Sequence, residues 1–278
     1  MSNRNLVPRG SYKPSPFSRT LFVGLRALDP LLQYAILSQW LGIGWLPFLL
    51  GGSLLPTTTN AISGGGPSPT SPSSAPPNST LILDLPPYQS LLLCMSIASM
   101  LKQTYWALFI VREEMSPSYA VIMATAATVM NSLNSVLGLW SRTSGSSSPP
   151  DSALLSLIAN PTIFLGTLLF ATGILLEFIS EVQRSAFKAD PKNKGQPYAG
   201  GLFGYARNIN YTGFSLWKAG YAMVAAGLGL GIVVAVVILN DFRRRAVPEI
   251  EGYCKRRYGR DWEEVKRKVR WVLIPGVV

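Results

Sequence analysis

The stretch that decides the fold is residues 214–239, FSLWKAGYAMVAAGLGLGIVVAVVIL. It is longer than the ~20 apolar residues that cross a bilayer as one helix. A single crossing would separate the basic loop before the stretch from the tail after it, which has eleven Lys and Arg against six Asp and Glu. Because basic segments stay cytosolic, we predict a short helical hairpin with arms at 214–226 and 228–239 around its glycines.

Four further apolar runs precede this stretch, at residues 28–50, 89–111, 119–140 and 153–176. The composition agrees, with 48% hydrophobic and 14% charged residues, against roughly a quarter charged in soluble domains. These runs predict an all-α fold, a polytopic membrane helix bundle of about six membrane helices whose last two form the short hairpin. The first helix is expected to start at Asp29-Pro30, and short cytosolic helices are expected in the tail.

The chain divides into three predicted regions. Residues 1–27 form a basic cytosolic segment, residues 28–176 a four-span membrane scaffold, and residues 177–278 the cofactor-binding region with the hairpin and the basic tail. Residues 53–80, rich in Ser, Thr, Pro and Gly and free of charge, are expected to be disordered and lumenal. Asn78 begins a glycosylation sequon there, and modified and unmodified loops both remain open. Both termini are expected to be cytosolic.

The charge and the missing histidine exclude several functions. The net charge of +11 is spread over segments that alternate with apolar runs, which is typical of membrane topology and not of nucleic-acid binding. The chain has no histidine and two widely separated cysteines, so a Ser-His-Asp triad and a metal site are not expected. Acid–base chemistry has to use Tyr, Lys, Asp or Glu.

The candidate site is the stretch at residues 200–213, GGLFGYARNINYTG, at a membrane boundary. With the basic loop before it, this stretch combines cations, amides, tyrosines and glycines, which are the ingredients of a nucleotide site. From the residues alone, a cofactor wall and a lipid-interface loop both remain open. Lys102 lies inside a predicted span, where it faces either a polar cavity or the interface by snorkelling.

The same region resembles a known family. FKADPKNKG at 187–195, GLF at 201–203 and ARNINYTG at 206–213 resemble the signature of the steroid 5-alpha-reductase C-terminal-domain proteins. The tail is similar to that family's closing pattern in PEIE at 248–251, KRRYG at 255–259, Trp262 and IPG at 274–276. The resemblance is best over residues 177–278. Related motifs occur in sterol C14 and C24 double-bond reductases and, more distantly, in isoprenylcysteine and phospholipid methyltransferases.

This resemblance implies an endoplasmic-reticulum enzyme that takes NADPH from the cytosol. NADPH would donate hydride to a carbon–carbon double bond of a lipid or sterol-like substrate, while a protein acid supplies the proton. Tyr211, Tyr205 and Lys102 are the expected proton donors. The implied cofactor-binding residues are Lys188, Asn193, Arg207, Asn208, Asn210, Tyr211, Gly213, Glu249, Arg257 and Tyr258.

Two departures from the family pattern leave alternatives open. Asn208 stands where the family usually has histidine, and Phe214 stands where an acid often follows the motif glycine. Asparagine donates hydrogen bonds but cannot carry a charge. An S-adenosylmethionine-dependent membrane methyltransferase and a non-catalytic family member therefore remain as alternatives. The expected partners are the lipid substrate and membrane lipids, with no nucleic acid.

Overall fold

The chain folds into helices throughout the part that the computed structural model describes, residues 12–40, 85–144, 157 and 159–277. Within these ranges there is no β-strand, as predicted. The α-helices in chain order are α1 (Pro16–Leu37), α2 (Pro87–Tyr105), α3 (Pro117–Ser144), α4 (Pro161–Ala189), α5 (Ile209–Ala226), α6 (Leu228–Asp241), α7 (Val247–Tyr258) and α8 (Arg260–Lys268). A π-helical turn, Trp106–Ile110, extends α2, and another, Phe242–Ala246, joins α6 to α7.

Three of these helices are long and apolar enough to cross a membrane, judged by length and composition: Pro16–Leu37, Pro117–Ser141 and Pro161–Ala189. Large apolar side chains cover the outside of the bundle. Leu175 on α4 is 54% exposed, and Val237 on α6 is 61% exposed. Apolar surface of this kind is stable against lipid and unfavourable against water, so the protein is a membrane protein.

Helices α4 and α5 pack through glycines spaced seven residues apart. Asn160 caps α4 by accepting from the backbone N–H groups of Thr162 and Ile163 at 3.0 and 3.2 Å. A Cβ at Gly173 of α4 would lie 2.4 Å from the Trp217 nitrogen, and one at Gly213 of α5 would lie 2.6 Å from the Glu177 nitrogen. The two backbones therefore approach as closely as they do only because these positions lack side chains.

Gly166 and Gly220 repeat this contact one heptad away, since a Cβ on Gly220 would lie 2.5 Å from the Gly166 carbonyl oxygen. The seven-residue spacing keeps each pair on one helix face. Together the four glycines fix the angle and register of α5 against α4, and so the position of the stretch at residues 200–213 that leads into α5.

Helices α5 and α6 are joined by Gly227 alone. Its φ of +89° is accessible to glycine and strained for other residues. Gly231 of α6 then packs on α5, because a Cβ there would lie 2.8 Å from the Met223 Cβ and 3.1 Å from the Ala219 carbonyl oxygen. The break at residue 227 coincides with the boundary between the two predicted arms.

The predicted start of the first helix is wrong. Helix α1 begins at Pro16, and Pro30 lies in its interior. The dipeptide Asp29-Pro30 resembles a start signal because proline favours first turns, but here Asp29 is buried and paired with Arg26 one turn earlier. The predicted loop at 53–80 and Asn78 lie outside the described residues.

The tail forms two short helices, as predicted, separated at Gly259 with φ +54°. The predicted capping box of Asp261 and Glu264 is wrong, since α8 begins at Arg260 and Gly259 is its N-cap. Asp261 instead lies in the first turn, where its charge favours the positive end of the helix dipole.

Candidate functional site

Arg207 of the 200–213 stretch holds the end of the tail. Its Nη1 donates to the carbonyl oxygens of Val269 at 2.7 Å and Arg270 at 3.1 Å. Its Nη2 donates to Glu251 Oε1 on α7 at 2.9 Å. The arginine side chain is 8% exposed. The motif arginine therefore joins the start of α5 to both parts of the tail.

Asn208 and Thr212 extend this clamp by about one helical turn. The backbone N–H and the Nδ2 of Asn208 both donate to the Val272 carbonyl oxygen, at 2.9 and 3.2 Å. Thr212 Oγ1 donates to the Leu273 carbonyl oxygen at 2.7 Å. Asn208 thus makes two neutral hydrogen bonds at the position where the family usually has histidine.

The other residues predicted in this stretch lie apart from the clamp. The Tyr211 ring stacks on Phe242 with centroids 4.3 Å apart, while Tyr205 is 65% exposed. Asn210 is 7% exposed. Gly213 faces the α4 backbone at the glycine contact described above. The predicted residues of this stretch therefore do not converge on one point: Tyr211 contacts Phe242, Tyr205 lies at the surface, and Gly213 contacts α4.

A second group surrounds the far end of α7, and we call it the cation–tyrosine cluster: Tyr12, Lys188, Tyr253, Arg257 and Tyr258. Arg257 Nη1 donates to the Tyr253 hydroxyl at 2.6 Å and to the Tyr12 hydroxyl at 3.1 Å. Lys188 Nζ donates to the Tyr258 hydroxyl at 3.1 Å and also to the Gln196 carbonyl oxygen. The Arg257 guanidinium carbon lies 5.7 Å from the Tyr258 ring centroid.

The cluster carries positive charge at neutral pH. Within the described part of the chain, neither Lys188 nor Arg257 forms a salt bridge with a carboxylate. Burial raises the pKa of Tyr253 to about 12, helped by the Tyr12 phenol and opposed by Arg257. Burial also raises the pKa of Tyr258, while Arg257 opposes the rise. Because these pKa values are raised, the Tyr253 and Tyr258 phenols stay protonated at neutral pH and do not neutralise the two cations as tyrosinate.

Helix α7 connects the clamp to the cluster. Glu251 meets Arg207, and Tyr258, about two helical turns later, meets Lys188. The loop that leaves α4 is closed on the end of that helix, since Asn193 Nδ2 donates to the Phe187 carbonyl oxygen at 3.1 Å, and Lys188 attaches it to α7. Glu249 lies one turn from Tyr253 on the same helix. The structure thus joins Lys188, Arg207, Arg257 and Tyr258 through one helix.

Lys102 occupies a different place, inside the bundle. It is hydrogen-bonded to Glu177 of α4, and its Nζ lies 3.4 Å from Glu181 Oε2. The Trp217 indole N–H donates to Glu177 Oε2 at 2.7 Å. All three charged side chains are at most 8% exposed. Lys102 is therefore a paired, buried lysine and does not snorkel to the interface.

A second buried polar cluster lies around Asp29. Its Oδ2 accepts from Arg26 Nη1 at 3.1 Å, Ser96 at 3.2 Å and Asn131 at 2.7 Å, and its Oδ1 accepts from Gln33 at 2.9 Å. These residues come from α1, α2 and α3. The Asp29 carboxylate is thus the hub that joins the first three described helices.

This hub was not predicted from the sequence. The predicted boundary between residues 27 and 28 separates Arg26 from Asp29, although the two lie on one helix. Their three-residue spacing, with Gln33 a further turn on, was the available signal for one polar helix face.

Comparison with known proteins gives the family. The family model described as "Protein of unknown function (DUF1295)" matches residues 147–269. The probable O-methyltransferase ustE of Ustilaginoidea virens is 35% identical over 277 residues, covering 99% of this chain and 92% of that protein. The chain belongs to the DUF1295 family. This family lies in the steroid 5-alpha-reductase-like superfamily.

Sterol reductases are similar to part of this DUF1295 family member. The Delta(14)-sterol reductase ERG24B of Gibberella zeae is 26% identical over 162 residues, covering 41% of this chain and 33% of that enzyme. The 7-dehydrocholesterol reductase of Danio rerio is 26% identical over 85 residues, covering 31% of this chain and 18% of that enzyme. The likeness to reductases is thus partial, while the likeness to the probable O-methyltransferase spans nearly the whole chain.

Proposed function

We propose that this protein is a membrane-bound, NADPH-dependent reductase of a carbon–carbon double bond in a lipid or sterol-like substrate. The observation that carries the proposal is the cation–tyrosine cluster: two cations and three tyrosines at the end of α7, with no carboxylate salt bridge to either cation in the described residues. The partial similarity to sterol reductases supports the same reaction class.

The charge of the cluster favours a phosphate-bearing cofactor over S-adenosylmethionine. Arg and Lys bind phosphate oxygens by charge-assisted hydrogen bonds. A sulfonium cation would instead be repelled by Lys188 and Arg257. The tyrosine rings add flat surfaces on which a base or a nicotinamide stacks.

The residues present fit NADPH. Lys188 and Arg257 would hold phosphate groups, Tyr253 and Tyr258 would stack on the rings, and the Arg207 clamp would keep α7 beside the start of α5. When bound, NADPH supplies the hydride to one carbon of the double bond. The protein must then deliver a proton to the other carbon, which converts C=C to CH–CH.

Lys102 is the proton donor that this fold favours among the three predicted. A lipid reaches the reacting carbons from within the bilayer, and Lys102 lies inside the bundle. Its hydrogen bond with Glu177 and its closeness to Glu181 hold the ammonium in place. Tyr211 is instead stacked on Phe242, and Tyr205 is exposed at the surface.

The proposed topology has about six membrane segments, with α5 and α6 as a short hairpin and both termini in the cytosol. Support comes from the clamp, because Arg207 precedes α5 and contacts tail residues that follow α6. The start of α5 and the end of α6 therefore lie on one side. We propose the endoplasmic reticulum as the membrane, residues 177–278 as the cofactor-binding region, and membership of the steroid 5-alpha-reductase C-terminal-domain group. The proposed membrane scaffold begins with α1 at Pro16, not at residue 28 as the sequence indicated.

The test is a titration of the full chain, purified in detergent, with NADPH. Binding is monitored by the change in NADPH fluorescence. Wild type should bind NADPH, and Arg257→Gln should raise the Kd by about tenfold, the effect of one charge-assisted hydrogen bond. Arg256→Gln is the matched control, since it removes the same charge from the neighbouring exposed position of α7. Equal Kd values for the two variants would contradict the role of the cluster.

The second candidate is an S-adenosylmethionine-dependent O-methyltransferase. It is favoured by the 35% identity to the probable O-methyltransferase over nearly the whole chain. The same titration, performed with S-adenosylmethionine by calorimetry, separates the two. If the protein binds S-adenosylmethionine and does not bind NADPH, the reductase proposal is overturned. If it binds neither cofactor, the remaining interpretation is a non-catalytic member of the family.

A further inference from the structure

Lys218 is a buried cation that neither the resemblance nor the proposed mechanism uses. It lies on α5 and is 4% exposed. Its Nζ lies 4.4 Å from the Trp217 ring and 5.9 Å from the Phe214 ring. In the described part of the chain it has no hydrogen-bond acceptor and no ion-pair partner. An ammonium without an acceptor inside a membrane bundle is costly, and such residues commonly mark a binding site.

The other buried charges are already paired. Apart from Arg207 of the clamp, the buried charged side chains among the described residues are three cations and three carboxylates. Arg26 pairs with Asp29, and Lys102 holds both Glu177 and Glu181. The interior is therefore formally neutral while Lys218 still lacks an acceptor. What Lys218 needs is an oxygen acceptor, and a ligand that brings a negative charge would leave the interior with an uncompensated anion.

We propose that Lys218 binds the carbonyl or hydroxyl oxygen of an uncharged lipid. This inference deepens the proposed function by naming the class of substrate, and it rests on that function for the assumption that the bound lipid is the one transformed. A carbonyl and a hydroxyl share the acceptor chemistry that Lys218 requires. A fatty carboxylate is disfavoured by the neutral sum of the buried charges.

The surroundings of Lys218 suit the apolar body of such a lipid. Trp217 meets Phe170 edge-on with centroids 6.0 Å apart, and Phe214 meets Trp217 at 5.3 Å. Trp217 is fully buried, and its contact fixes the Phe214 ring, which is partly exposed and is the apolar surface available to a lipid beside Lys218. Lys218 is then the polar end of an otherwise aromatic surface.

The test uses three photoreactive diazirine lipids of equal chain length that end in a methyl ketone, a primary alcohol or a carboxylate. Each is crosslinked to the full chain in detergent without cofactor, and the labelled residues are mapped by mass spectrometry. The ketone or the alcohol should label residues beside Lys218 on α5. Whichever of these two lipids labels α5 more strongly shows whether Lys218 prefers a carbonyl or a hydroxyl oxygen. Lys218→Met should reduce that labelling about tenfold, the loss expected for one charged hydrogen bond. Lys255→Met, at an exposed site on α7, is the control.

The outcomes separate this inference from the proposed function. Unchanged labelling in Lys218→Met, strongest labelling by the carboxylate, or labelling away from α5 would each overturn the lipid site. NADPH binding to Lys218→Met should match wild type, since the cation–tyrosine cluster is intact. Failure of wild type to bind NADPH would overturn the reductase proposal and leave the lipid site standing. If Lys218→Met does not fold, the crosslink map and competition by unlabelled ketone, alcohol and carboxylate in wild type decide.

Discussion

Arg207 Nη2 donates to Glu251 Oε1 at 2.9 Å, while Nη1 of the same guanidinium holds the carbonyl oxygens of Val269 and Arg270. A single side chain therefore joins the start of α5, the middle of α7 and the segment after α8. The planar fork of arginine suits this task, because it donates in several fixed directions at once. The motif arginine thus organises the region in which a cofactor would sit.

Changing Arg207 to Ala should release the tail from α5. The carbonyl oxygens of Val269 and Arg270 lose their donor, and Glu251 loses its partner, which together should destabilise the region by about 2–4 kcal/mol. Limited trypsin digestion in detergent should then cleave the basic tail much faster than in wild type. Glu251→Gln is the matched control, since its amide oxygen still accepts from Arg207 and cleavage should change little. Equal cleavage of Arg207→Ala and wild type would contradict the clamp.

The sequence was sufficient for the helical membrane fold, since the fold follows from apolar runs of bilayer length. The helix break at Gly227 was also predictable. The basic tail is expected to stay cytosolic, so the chain has to turn back within the apolar stretch, and glycines cluster at that point. The start of α1 was not, since Pro16–Leu37 is less apolar than the run at 28–50 and carries Arg19, Arg26 and Asp29. Those charges make the segment too polar to be recognised as a membrane helix from its sequence. In the folded protein, Arg26 and Asp29 are buried against α2 and α3.

The resemblance named candidate residues without indicating how they are arranged. The resemblance brought Lys188, Arg257 and Tyr258 into one set, and the structure places them together. It gave no indication that Arg207 and Asn208 contact tail carbonyl oxygens, because such contacts depend on how a distant segment folds back. The apolar pattern puts Glu177 at the end of a span, whereas the continuation of α4 to Ala189 buries it beside Lys102 and Trp217.

Gly173→Ala should disrupt the contact between α4 and α5. The new methyl group would lie 2.4 Å from the Trp217 nitrogen and 2.8 Å from the Gly213 carbonyl oxygen, both of them backbone atoms that cannot move alone. Overpacking of this kind costs about 1–3 kcal/mol or more. The thermal midpoint in detergent should fall clearly. Gly229→Ala, in α6 with open space at the added Cβ, should keep or slightly raise it. A fall of equal size in both variants would contradict the close approach.

Lys102→Met should be more harmful than removing the whole buried charge group. It leaves Glu177 and Glu181 buried without their cation, which costs about 3–5 kcal/mol when such a pair is broken. The triple variant Lys102→Met, Glu177→Gln, Glu181→Gln removes all three charges, and the new amide oxygen at position 177 can still accept from the Trp217 indole. Its thermal midpoint should therefore lie above that of the single variant. A triple variant less stable than Lys102→Met would show that the pairing is not what holds these residues.

Tyr253 should titrate later than an ordinary phenol. Burial and the Tyr12 phenol raise its pKa to about 12, with Arg257 acting in the opposite direction. A phenol is neutral when protonated, and its folded pKa here exceeds the unfolded value of about 10. Its contribution to stability is therefore fully present below pH ~10 and is lost as the pH rises through 12. The measurement is the alkaline difference absorbance of tyrosinate in wild type minus Tyr253→Phe. A step near pH 12 in this difference curve supports the environment seen here, and a step near pH ~10 contradicts it.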